Sequence, residues 1–205
     1  MAKIDQTSPG ERLERGPDEG AHSRRATSST ASAAPGFRRS AWTTREKIVR
    51  VLWGSVGRLA WATLPAARPA LLRAFGGRVG RGCRFARGVE IAIPWNLDVG
   101  DRVRVGPRVL LYSLGRITLG DGVTLDRRAH LCAGTHDFTD PNFPLLRPPI
   151  SVGAGSLIGI DAYIGPDVSL GERCVVHPRA SVYRSFGAGA VLRGNPAKDE
   201  REVEP

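Results

Sequence analysis

A six-residue period, running from Val79 to Phe186 with two short slips and one long break, constrains this chain more than any other feature. With an aliphatic or aromatic residue at position one, units begin at Val79, Phe85 and Ile91, restart at Val99, Val105 and Leu111, and restart again at Leu119, Leu125 and Leu131. After the break they run Val152, Ile158, Ile164, Leu170, Val176 and Val182. The fifth places are mostly small, as at Cys83, Val103, Ala129, Thr135, Ser156, Ala162, Cys174 and Ala180. Glycine recurs at the second place, from Gly80 and Gly100 through Gly153 to Gly171. An α-helix needs a 3.6-residue period, and a half-buried strand needs alternation over longer runs. Neither describes these units. A chain wound into a three-sided column does: three units make one lap, position one points inward, and stacked laps share one dry core. Position five also faces inward near a corner, so it must be small, while the glycine relieves crowding or supplies an unusual dihedral. The expected fold is an all-β core built as a single-stranded left-handed parallel β-helix of about five coils.

The rest of the chain divides around that core. Residues 1–40 are rich in Ser, Ala, Gly, Pro and Arg and hold almost no large apolar residues, so they are expected to be a disordered basic tail. Residues 41–76 read as helical: Thr43 and Glu46 form a capping box, and Ile48, Val49, Leu52, Trp53, Val56, Leu59 and Ala60 follow at helical spacing. One helix of about 18 residues should end before Pro65, and a second piece, 68–75, should stop at Gly76. Its apolar stripe is read as packing against the β-helix or a neighbouring subunit, in preference to an in-plane membrane contact. The β-helix domain is placed at 77–198 with a loop at 137–149, and a C-terminal tail at 199–205.

Charge and cysteines narrow the function. Residues 1–76 hold 13 Lys/Arg against 6 Asp/Glu, and the remainder 17 against 14, so most of the net +10 lies outside the repeats. No aromatics interleave with that basic tail and no nucleic-acid motif is present, so nucleic acid is not an expected partner. Cys83, Cys132 and Cys174 are widely spaced, with no zinc-ligand pattern, and no metal is expected. The N-terminus lacks a continuous apolar stretch and the thiols suit a reducing compartment, which points to the cytoplasm.

The break between Leu131 and Val152 is the natural place for chemistry, since a loop departing from a rigid scaffold often carries function. His136 ends the last regular unit before it, and an imidazole suits a general base. On spacing alone a structural histidine is the commoner reading. Asp137 could fix the His136 tautomer, bind acceptor hydroxyls, or cap the loop's own backbone. His130 is read as a surface corner residue and His177 as a turn residue.

Several segments resemble the hexapeptide-repeat acetyltransferases: Pro94-Trp95-Asn96-Leu97, Leu119-Gly120-Asp121, Cys132-Ala133-Gly134-Thr135-His136-Asp137, Asp140-Pro141-Asn142-Phe143 and Gly194-Asn195-Pro196-Ala197-Lys198. The subfamily is that of colanic acid biosynthesis acyltransferase-like proteins, near the maltose, galactoside and nodulation O-acetyltransferases, and the resemblance spans Trp42 to Lys198. It implies a homotrimer with active sites in clefts between chains, acetyl-CoA as acyl donor, and His136 as catalytic base acting on a hydroxyl of a sugar or glycosylated acceptor. By matching position, Asp137, Ser113, Trp95 and Asn96 would meet the acceptor. Tyr183, Arg184, Lys198 and Arg201 would lie near the phosphates of CoA, and Ile160 and Pro178 along its pantetheine arm. Ser113 stands where this group usually has asparagine, and Leu157 replaces a common tryptophan. An amino-sugar N-acetyltransferase, a metal-dependent β-helix enzyme and a non-catalytic β-helix scaffold are the alternatives.

Overall fold

A computed structural model describes residues 42–201 as a helical segment followed by a parallel β-helix. The expected tail 1–40 lies outside the described residues. The first lap comprises β1 (Arg78–Val79), β2 (Arg84–Phe85) and β3 (Glu90–Ile91). The second comprises β4 (Leu97–Val99), β5 (Arg104–Val105) and β6 (Leu110–Tyr112), and the third β7 (Ile117–Leu119), β8 (Thr124–Leu125) and β9 (His130–Cys132). A hairpin of β10 (Thr135–His136) and β11 (Leu145–Leu146) then leaves the column. The fourth lap is β12 (Ile150–Val152), β13 (Leu157–Ile158) and β14 (Tyr163–Ile164), and the fifth β15 (Ser169–Leu170), β16 (Val175–Val176) and β17 (Ser181–Val182). A sixth lap begins with a bridge from Leu170 to Phe186 and ends in β18 (Val191–Gly194). Corresponding strands pair in parallel, so the first, second and third strands of successive laps build three sheets, one per side.

Every position-one residue from Val79 to Val182 is buried. The fifth places face inward too, except Thr135, which has already left the column in β10. The two slips have a structural meaning: the first two laps are each two residues longer at the corner between the third and first sheets. There Ile93, Leu97, Ile117 and Ala133 turn inward as well and are fully buried. Of the two reasons for glycine at the second place, crowding is the operative one. A Cβ on Gly153 would run into the backbone of Gly171 one lap above, although Gly153 has no left-handed φ.

The helical segment starts at the expected capping box, with Glu46 N–H donating to Thr43 Oγ1 and Thr43 N–H to Glu46. It runs as α1 (Thr44–Leu52), a π-turn (Trp53–Gly57) and α2 (Arg58–Thr63), then a 3-10 turn and α3 (Arg68–Ala74). Gly76, at φ 86°, ends it. The expected stripe divides: Trp53 packs against the column together with Gly57 and Trp61, whereas Ile48, Leu52, Val56 and Leu59 are not covered by the β-helix of their own chain. Aromatic rings supply more burial than the branched residues beside them, and Gly57 makes the fit possible, since a Cβ there would stand 2.7 Å from Trp53 Cε3.

These residues close the open end of the column. The N–H groups of the first lap donate to the second lap, as from Gly80 to Val99 O and Arg84 to Val103 O, which leaves first-lap carbonyls facing outward. Trp53 Nε1 donates to Ile91 O and Trp61 Nε1 to Val89 O, both at 2.9 Å. Arg68 Nη1 reaches Phe85 O at 2.8 Å, and Arg73 reaches Val79 O and Gly80 O at 2.8 and 2.7 Å. An exposed sheet edge invites pairing with another chain, and this cap removes it. Arg68 itself is buried, and desolvation lowers its pKa.

At the far end β19 (Ala197–Asp199) pairs antiparallel with β18. Asp199 is buried there and accepts from Val191 N–H and from the Arg201 guanidinium, whose hydrogen bonds hold its carboxyl far below the usual carboxylate range. Asp199 to Arg201 therefore belong to the cap, and 202–205 lie outside the described residues.

Candidate active site

His136 stands at the corner between the third and first sheets, in the strand that carries the chain out of the third lap. Its ring is exposed and lies opposite Leu145. His136 Nδ1 is 2.8 Å from the carbonyl oxygen of Phe143. A carbonyl can only accept, so Nδ1 carries the proton, and the Nε2 lone pair is left for chemistry. The loop's own turn delivers that carbonyl. Phe143 N–H donates to Asp140 O and Asn142 N–H to Asp140 Oδ1, with Phe143 at φ 47°, a left-handed conformation uncommon for a bulky side chain. The Phe138 ring meets Phe143 edge-on at 5.5 Å. The Asp140-Pro141-Asn142-Phe143 segment was visible in the sequence, but its use as the orienting group for the imidazole was not.

Asp137 does not serve His136. Its Oδ1 accepts from Thr139 N–H at 2.9 Å and from Thr139 Oγ1–H at 2.6 Å, and the hydroxyl holds its carboxyl below the usual range. It is the loop cap, the third of its expected uses. Ser113 is not available to an acceptor. It is fully buried, its Oγ donating to Ile93 O and accepting from Ile93 N–H at 2.9 and 3.0 Å. Asn96 Nδ2 donates to Ser113 O and Leu114 O, stitching the first lap to the second. The extra residues at this corner leave backbone groups without lap-to-lap partners, and these two side chains satisfy them. Ser113→Ala should therefore lower stability by about 1–3 kcal/mol, the cost of unpaired buried groups, and leave acceptor KM unchanged. A denaturation curve together with steady-state kinetics checks it. Trp95 lies in a cavity of about 440 Å³ with Glu46, Val49, Phe75 and Gly76, between the helices and the column's first corner.

The residues expected along CoA fall on two different edges and at the far end of the column. Ile160 and Pro178 are exposed at the corner between the second and third sheets, on consecutive laps, with Arg179 N–H donating to Ile160 O. Tyr183 and Arg184 are on His136's own edge, two laps above it. The Tyr183 ring is 5.6 Å from that of Tyr163, and the Arg184 guanidinium lies 4.3 Å over Phe186. Lys198 is exposed in β19 opposite Arg193. Arg201 is held by Asp199, which accounts for it structurally.

Sequence reading missed other features. Trp42 stacks between the guanidiniums of Arg50 and Arg147, at 4.4 and 3.8 Å, tying the His136 loop to the helical segment. His130 is not a surface corner residue: it lies in β9, half-buried against Tyr163 at 5.2 Å, and burial lowers its pKa. Its side chain alternates outward from a strand, so only the neighbouring lap could reveal that it is covered. Among the described residues, no group of three His, Cys, Asp or Glu is placed to hold a metal ion, and no helix is long and apolar enough to cross a membrane.

Comparison with known proteins matches this geometry. The family described as bacterial transferase hexapeptide (six repeats) matches residues 149–184. The chain is 37% identical over 155 residues to the Escherichia coli K12 protein named as the colanic acid biosynthesis acetyltransferase WcaF, covering 74% of this chain and 85% of that one. It is 22% identical over 161 residues to the galactoside O-acetyltransferase of the same organism, covering 78% of this chain and 68% of the relative. In fold it is similar to the hexapeptide-repeat acetyltransferase VCA0836 of Vibrio cholerae, solved in complex with acetyl-CoA, with a TM-score of 0.72 at 20% identity over 80% of this chain and 91% of that one. The stacked six-residue laps, the loop histidine at their edge and the extended identity to WcaF together make this chain a member of the hexapeptide-repeat acetyltransferase family.

Proposed function

We propose that the protein transfers an acetyl group from acetyl-CoA to a hydroxyl of a sugar or glycosylated acceptor, with His136 as general base. The observation that carries this is the Nδ1–H bond from His136 to Phe143 O, which leaves an exposed Nε2 lone pair at the edge of the column. The sugar hydroxyl as acceptor is supported by the names of the relatives, colanic acid biosynthesis acetyltransferase and galactoside O-acetyltransferase.

Acetyl-CoA supplies an activated acyl carbonyl. The chain's own part is to take the proton at His136 Nε2 as the hydroxyl oxygen bonds to the acyl carbon, with Phe143 O stabilising the cationic imidazole, and to return that proton to the CoA sulfur as the C–S bond breaks. The residues present fit the donor: the exposed apolar Ile160 and Pro178 suit a pantetheine arm, and the cations Arg184 and Lys198 suit phosphates. Ile160 and His136 sit on different edges of one column, so one cleft can hold both only if different chains contribute them. That requirement supports the homotrimer. A cytoplasmic site of action is the reading that an acetyl-CoA donor supports.

Turnover of acetyl-CoA by the purified protein over a panel of hydroxyl and amino sugars tests the reading. Acetylation of hydroxyl acceptors is expected. Activity confined to amino sugars would transfer the assignment to N-acetylation, and no acetyl transfer with any acceptor would favour a scaffold.

A further inference from the structure

The capped end of the column carries a surface that the acetyltransferase reading does not use. Along α1, the π-turn and α2, aliphatic residues turned away from Trp53 and Trp61 are exposed: Ile48 by 56%, Val51 by 70%, Val56 by 66% and Leu59 by 67%. Cations rim this face, with Lys47, Arg50 and Arg58 all exposed. Among the described residues two acids lie near this end: Glu46, occupied by the capping box with Thr43, and Glu90 on the first lap, which lines a shared pocket with Arg58.

Charge is sorted along the column in the same direction. Residues 42–96, which make the helical cap and the first lap, hold ten Lys/Arg against two Glu, whereas 97–201 hold thirteen against eleven. On the first two laps Arg84, Arg87, Arg104 and Arg108 are exposed, and none has an acidic partner among the described residues. Arg84 and Arg104 are register neighbours in the second sheet. Like charges placed side by side on adjacent strands repel, so the fold itself gains nothing from this pair. The end of the column is thus an apolar plate with a cationic skirt.

We infer that this end docks on an anionic lipid surface, with the α1–α2 aliphatic face in the headgroup boundary and the first-lap arginines against lipid phosphates. A helix with an apolar face and a basic rim lies in such an interface, and each added cation strengthens attraction to anionic lipid. A second copy of this chain is the poorer occupant. End-to-end pairing would set one cationic rim against another, and like charges juxtaposed across an interface oppose association. Docking by this end leaves His136, two laps away, in water beside the membrane, where it could meet an acceptor carried by a lipid.

The test is flotation of the full chain with vesicles of phosphatidylcholine alone and of phosphatidylcholine with phosphatidylglycerol in roughly equal parts. Binding to the anionic vesicles that weakens with salt is expected. Val56→Asp/Leu59→Asp and Arg84→Gln/Arg104→Gln should each weaken it by about tenfold or more. Melting temperature, oligomeric mass and turnover of a soluble acceptor should not change, which separates this inference from the catalytic one. No binding by the full chain, or equal binding by both variants, would overturn it. Loss of assembly in Val56→Asp/Leu59→Asp would overturn it too, and give the face to a second copy.

Discussion

Replacing His136 with alanine should lower kcat/KM for acetyl transfer by about a hundred- to ten-thousandfold, the range a positioned general base contributes. The fold should be untouched, because the ring is exposed and His136 lies in a two-residue strand outside the column. Circular dichroism and melting of the variant should match wild type while turnover collapses. An unchanged rate would remove His136 from the mechanism. His136→Asn sharpens the experiment: its amide nitrogen, at the place of Nδ1, can still donate to Phe143 O but is not basic, so it should fail as alanine does. If asparagine restored turnover, the side chain would be acting as a hydrogen-bond donor, and proton abstraction at Nε2 would be wrong.

Trp53→Ala should have the largest effect on stability. Truncating a buried tryptophan costs about 3–5 kcal/mol. Here it also strips the ring from edge-on contacts with Trp61 and Phe75, at 5.9 and 5.2 Å, and leaves Ile91 O without its donor. That loss is a large share of the 5–15 kcal/mol that typically separates folded from unfolded domains, so the variant should unfold at much lower denaturant. Trp53→Phe keeps much of the burial and loses the N–H, so it should cost about 1–3 kcal/mol by leaving a buried carbonyl unpaired. Equal loss in both variants would make the hydrogen bond the whole of the effect, and negligible loss in either would mean that the helical cap is dispensable to the column.

The repeats were legible because their signal is local. A position-one residue such as Leu125 or Ile164 must be apolar whatever surrounds it, since the winding of its own lap turns it inward. The capping box at Thr43 and Glu46 was readable for the same reason, its donors and acceptors lying within one helical turn. The helix's buried face was not. Both Leu52 and Trp53 satisfy a helical period, and the choice between them depends on the carbonyls of Val89 and Ile91, about thirty to forty residues away in the sequence, to which a tryptophan N–H can donate and a leucine cannot. The candidate site divides similarly. His136 stood out by its place at the end of a regular unit, whereas Ser113 and Asn96 proved to be lap-to-lap ties whose partners lie in neighbouring coils.

The sequence by itself determined the winding, the inward residues, the loop and its histidine, because each is set by spacing within one or two laps. Only the tertiary structure decided which nitrogen of His136 is left basic, which helix face is covered and where unpaired arginines gather. Those depend on groups brought together by stacking, since a hydrogen bond or a repulsion is a property of distance in space rather than of position along the chain.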